Sequence, residues 1–163
     1  MQPAHDSLPT VLKSVRTRPL FVMTLAIQPY LVVGETPGVN RRVGVVPGGT
    51  FDGERLAGTV TSGGVDWQTS RNDGATTLDV RLVLKTTDDA LISMSYQGLR
   101  HGPPEIIAAI AEGQEVDAAS YYFRTNPVFE TAARKYDWIN RILAVGLGHR
   151  VPDGAIYSVF EIL

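Results

Sequence analysis

The sequence predicts an all-β fold with one or two short helices, an antiparallel meander closed into a small β-barrel. Three observations carry that expectation. Short runs rich in β-branched and aromatic residues recur along almost the whole chain, each bounded by Gly, Pro, Asn or Asp. The connections "PGGT" at 47, "SGGV" at 62, "RNDG" at 71 and "TTDD" at 86 supply residues that tolerate tight or left-handed backbone, and such short links force antiparallel pairing. Finally, 163 residues suit one domain, and closing a meander removes the exposed edges an open sheet would leave.

From the N-terminus, "DSLPTVLKSVRT" has a weak helical pattern, so residues 1–17 are expected to form an arm, helical or flexible, on a single domain spanning 1–163. Strands are expected near 19–28, 30–33, 41–47, 54–62, 65–71, 76–86 and 90–99. "PPEIIAAIAEG" then reads as a short helix, with prolines at its start, Glu105 in the first turn and Gly113 as its stop. Further strands are expected near 120–130, 139–147 and 154–162, with Pro127 interrupting the first of them at an edge or a barrel corner.

Composition narrows the function classes. Lys and Arg total 15 against 17 Asp and Glu, so no broad attraction to nucleic acid or anionic membrane is expected. The absence of cysteine removes disulfides, thiolate nucleophiles and Cys-based zinc sites, and suits a cytoplasmic protein. The apolar run "PLFVMTLAI" lacks a small-residue cleavage pattern and stops at Gln28 and Pro29, so neither a secretory signal nor a membrane span is expected.

Strand side chains alternate between faces, which sorts the polar residues. In 76–86, Leu78, Val80, Leu82 and Leu84 share one face and Asp79 and Arg81 the other; in 65–71, Asp66 and Gln68 share a face opposite Trp67 and Thr69. In "SYYFRTNPVFET", Tyr121, Phe123 and Thr125 oppose Tyr122, Arg124 and Asn126. That second set offers a phenol, a guanidinium and an amide to an oxygen-rich small molecule, or else Arg124 pairs with a structural carboxylate such as Glu130. Tyr136 and Trp138 of "YDWIN", read as a strand, share a parity that could line the same cavity, with a barrel plug as the favoured reading of Trp138.

The segments "GGTFDGERLAGTVTSGGVDWQTSRNDGATTLDVRLVLKTTDDALI", "YYFRTNPVFET" and "YDWINRILAVGLGHR" resemble the DUF3237 family, also called UPF0311, over about residues 17–162. The resemblance implies a barrel of the allene-oxide-cyclase or calycin-like kind, often oligomeric, with a homodimer expected because two-fold dimers dominate soluble oligomers. It implies little about chemistry, since related barrels carry cyclases, isomerases and plain binders.

No GxSxG elbow, P-loop, GxGxxG entering a helix or HExxH is present, and the histidines at 5, 101 and 149 are too dispersed to predict a metal site. No cofactor is expected. Carboxylates are therefore the candidates for proton transfer: Asp66 or Asp79, its charge balanced by an arginine and its pKa raised by apolar walls, could act at a carbon next to a carbonyl. Gln68, Arg81, Tyr122, Arg124, Tyr136 and Trp138 are the candidate ligand-binding residues, with Arg81, Arg124 and Tyr122 placed to stabilise an oxyanion. The expected partner is a small molecule, handled as substrate by a cofactor-free isomerase, cyclase or lyase, or bound unchanged. A filled barrel with a purely structural role is the remaining expectation.

Overall fold

The computed structural model describes residues 4–163. Of the arm expected over 1–17, residues 1–3 lie outside the described residues; the rest forms 3-10 turns at Ala4–Ser7 and Thr10–Leu12 with no buried side chain. The strands follow as β1 (Thr17–Ala26), β2 (Leu31–Glu35), β3 (Asn40–Val46), β4 (Gly48–Asp52), β5 (Gly58–Val60), β6 (Gly64–Ser70), β7 (Thr76–Thr86) and β8 (Leu91–His101). Helix α1 (Pro104–Ala111) comes next, then β9 (Tyr122–Thr125), β10 (Val128–Glu130), β11 (Leu143–Val151) and β12 (Gly154–Ile162).

Every pairing is antiparallel, and the ladder of β7 on β8 joins the two halves of the sheet. The result is a closed ring of eight strands, β8-β9-β11-β12-β1-β4-β5-β7. Two long, bent ribbons explain the remaining strands. β3 runs into β4 and β5 leads into β6, so β4 and β5 pair at one end of the barrel while β3 and β6 pair beyond it, with β2 on the outer edge of β3. The strand expected over 54–62 is reduced to β5 after a loop, and β4 stands where a turn was expected; Gly53 and Gly58 pack their α-carbons against the carbonyls of Leu20 and Lys85, where a Cβ would stand 2.1 and 2.0 Å away. Pro127 falls in the break between β9 and β10, where the chain leaves β11 and moves from the C-terminal end of β8 to its N-terminal half.

The inward faces follow the parity of the sequence. Leu78, Val80, Leu82 and Leu84 of β7 join Ile92, Met94 and Tyr96 of β8 in one core with Met23, Leu25, Phe51, Phe123 and Tyr157. Burying each such side chain contributes about 1.5–3 kcal/mol. Residues 134–141 depart from the expected strand: Arg134–Arg141 is a 3-10 segment that lays Tyr136 and Ile139 into the core, so the parity argument for Tyr136 and Trp138 does not apply. This segment closes the end of the barrel where β1 begins and β12 ends. Trp138 stacks there under the Arg55 guanidinium, 3.5 Å from the ring centre. Pro104 opens α1 with its ring set for helical φ, and Gly113 at φ +74° ends it in a conformation that a Cβ would disfavour.

Candidate functional site

The other end of the barrel is open. The β1–β2 link, the β6–β7 and β11–β12 turns and helix α1 surround a pocket of about 520 Å³, within the range of small-molecule sites. Ile27, Ile107 and Ile110 give it an apolar side, while Tyr30, Arg42, Thr76, Arg100 and Arg150 give it a polar one. The arginines arrive by the same rule. In β8 the inward row Ile92, Met94, Tyr96 ends at Arg100, and in β11 the row Ala144, Gly146, Gly148 ends at Arg150, each the last inward position before the turn. Gly148 has no alternative, since a Cβ there would meet the Phe123 ring at 2.7 Å.

Beneath this floor lies β6, whose Asp66 and Gln68 both turn inward and are buried. Gln68 is fixed by three bonds: its Oε1 accepts from Arg42 Nε at 2.9 Å, and its Nε2 donates to Asp66 Oδ2 at 2.6 Å and to the Tyr30 hydroxyl at 3.1 Å. The Arg42 bond decides which way the amide points, because guanidinium can only donate. Asp66 Oδ1 is left with no partner, as are Nε and Nη1 of Arg100 and Nη1 of Arg150, all buried. Burial raises the Asp66 carboxyl to about 6, against the opposing pull of the Gln68 hydrogen bond and of Arg100, Arg150 and Arg42. Burial likewise lowers Arg100 and raises the phenols of Tyr96 and Tyr157, whose rings pack 5.5 Å apart. Arg150 is positioned from behind: its backbone N–H donates to the Tyr121 hydroxyl at 2.7 Å, and that hydroxyl also bonds His149 Nδ1 at 3.0 Å.

Of the residues singled out from sequence, only Asp66 and Gln68 lie at this end, buried behind the pocket lining and joined to it through Arg42 and Tyr30. Asp79 and Arg81 are exposed on the outer face of β7. Arg81 borders a surface groove with Ser93, Ser95, Glu130 and Asn140, and no buried polar atom there lacks a partner. Tyr122 is 42% exposed and stacked on His101, with the Arg124 guanidinium 4.9 Å from its ring centre and donating to the Phe123 carbonyl. Arg124 thus pairs with backbone and a ring rather than with Glu130. Tyr136 and Trp138 sit at the closed end, Tyr136 donating to Asp88 at 2.8 Å. Tyr30, Arg42, Arg100 and Arg150 were missed; the signal for two of them is an arginine that terminates an otherwise apolar inward row. Among the described residues, no three His, Asp or Glu side chains stand where they could hold a metal ion, and no helix is long and apolar enough to cross a membrane.

Fold and site together define a small closed antiparallel barrel with a charged pocket at one mouth. The family model described as "Protein of unknown function (DUF3237)" matches residues 15–162, and the chain belongs to this family. A UPF0311 protein of Clostridium acetobutylicum is 32% identical over 155 residues, covering 94% of this chain and 98% of that protein. Among solved structures, a conserved protein of unknown function from Rhodopseudomonas palustris is 31% identical, with a TM-score of 0.89, covering 92% of this chain and 99% of its own. A β-barrel-like protein from Acinetobacter baumannii is 33% identical, with a TM-score of 0.81, covering 96% and 99%. An enzyme from Penicillium herquei, 21% identical with a TM-score of 0.71 over 96% and 98%, shares the fold.

Proposed function

We propose that the protein takes a small apolar or aromatic, oxygen-bearing molecule into the barrel mouth and carries out cofactor-free proton transfer on it, in an isomerisation, cyclisation or lyase reaction. The observation that carries this reading is the set of buried polar atoms without partners among the described residues, on Arg100 and Arg150 at the pocket floor and on Asp66 behind it. Buried polar groups left unsatisfied are costly, and a ligand that supplies acceptors to the guanidiniums and a proton to Oδ1 removes that cost.

In this mechanism Asp66, ionised at neutral pH because its pKa is about 6, takes a proton from a carbon next to a carbonyl through Oδ1, while Gln68 holds Oδ2. The electron pair of the broken C–H bond moves onto the carbonyl oxygen. Arg100, almost wholly buried, and Arg150, half-buried, stabilise the resulting enolate by donating hydrogen bonds to it. Asp66 then returns the proton to a different atom of the substrate, or the enolate expels a leaving group. Ile27, Ile107 and Ile110 hold the apolar body. The test is deuterium incorporation next to the carbonyl of cyclic ketones, lactones and aromatic keto acids in D2O, read by NMR. Exchange by the natural protein and its loss in Asp66→Asn, with binding retained in a thermal-shift assay, is the expected result; full exchange by Asp66→Asn removes Asp66 from the mechanism.

A second reading, binding without turnover, is favoured by the state of the neighbouring phenols. Burial holds Tyr96 and Tyr157 protonated, so they offer no second group titrating near neutrality beside Asp66. Recovery of bound compounds unchanged and without deuterium selects this reading. A homodimer is proposed in either case, and sedimentation of the purified chain checks it.

A further inference from the structure

The charges at the pocket floor do not cancel. Arg42, Arg100 and Arg150 border the pocket, and Asp66 is the carboxylate that faces all of them. Three cations less one anion leave two positive charges when Asp66 is ionised. Neighbouring groups do not correct the excess. Arg71 on the rim is already paired with Asp73, and Asp153 on the rim is exposed, where water screens it. Arg42 is partly satisfied, through Gln68 and the face of the Tyr30 ring 4.2 Å away. Arg100 and Arg150 make no side-chain hydrogen bond among the described residues, and Arg100 is only 3% exposed. Unpaired buried guanidinium is among the most costly arrangements a fold can keep, and arginine is suited to pairing with carboxylate and phosphate.

Resting on the reading of this mouth as a small-molecule site, we infer that its ligand is a small organic dianion, bearing two carboxylates or one phosphomonoester on an apolar body. The two free guanidiniums arise from β8 and β11, with β9 between them, so their backbones stand roughly 10 Å apart across the sheet. Side chains converging from that separation can engage two acidic groups on one ring, or opposite sides of one phosphate. The apolar body lies against Ile107 and Ile110 of α1, which present no charge to it.

The experiment is calorimetric titration with six probes of similar size: the three benzenedicarboxylates together as one arm, phenyl phosphate, benzoate, and the neutral dimethyl phthalate. At least one dianion binds tenfold or more tighter than benzoate and the ester, and each of Arg100→Met and Arg150→Met abolishes that advantage. The tighter dianion tells carboxylate from phosphate. Arg100→Lys, which keeps the charge, retains part of the preference and shows that the methionine variants fail through lost charge rather than misfolding. Benzoate or the ester binding as tightly as every dianion overturns the inference and leaves the small-molecule site standing. If none of the probes binds, the inference is overturned; if the ketones, lactones and keto acids also fail, the proposed function falls with it.

Discussion

At the closed end of the barrel Glu161 is buried yet accepts from Arg18 at 2.7 Å and from Arg55 at 2.9 Å, and Arg55 in turn covers Trp138. Nearby, hydrogen bonds from Lys135, Thr86 and Tyr136 hold the Asp88 carboxyl well below the usual carboxylate range. At the mouth, Arg100 is as deeply buried as Glu161 and has no acceptor among the described residues, and Asp66 is pushed in the opposite direction from Asp88. One end spends its charged residues on holding the fold shut; the other keeps them unsatisfied among the described residues, at a cost in stability. The same residue types thus report structure or function according to whether their partners belong to the chain.

The comparison is tested most strongly through pH. Asp66 titrates near 6 when folded and near 3.8 when unfolded, so the folded state binds more protons between those values and its stability falls as pH rises through them. The stability of Asp66→Asn relative to the natural protein should therefore rise by about 3 kcal/mol between roughly pH 3 and pH 8, measured by urea unfolding at each pH. A constant difference across that range would place Asp66 in water.

Next in size is the closed end. Glu161→Gln leaves Arg18 and Arg55 without their shared carboxylate, and because those arginines are partly exposed the loss should be about 2 kcal/mol, seen as a fall of roughly 4–8 °C in Tm. Arg100→Met should do the reverse in the unliganded protein: removing an unpaired buried cation raises stability by about 1 kcal/mol. A loss of stability there would mean that the two ends are alike. The smallest effect belongs to the outer surface, where Asp79→Asn and Tyr122→Ala should each change stability by less than about 0.5 kcal/mol and leave binding at the mouth unchanged in the same titrations.

How much of this was legible beforehand depends on the range of the interaction involved. The strands at 76–86 and 154–162 and the helix at 104–111 follow from alternation, turn residues and proline and glycine punctuation, all read within a few neighbours. So does the pairing of Asp66 with Gln68 on one face. The segment around Tyr136 misled because its aromatic spacing suits a strand, whereas the 3-10 turn is imposed by docking Tyr136 and Ile139 into the barrel end.

The sequence by itself determined an all-β chain, the sorting of each strand into two faces, and the membership of Asp66 and Gln68 in one of them, because period-two alternation is a local property of extended backbone. Only the tertiary structure decided which face turned inward. Asp66 and Gln68 went into the barrel, whereas Asp79, Tyr122 and Arg124, on strands of the same pattern, went to its surface. It also decided that Arg42, Arg100 and Arg150, from β3, β8 and β11, meet Asp66 at a single mouth. That meeting depends on ring closure between strands far apart in the chain, and no local pattern carries it.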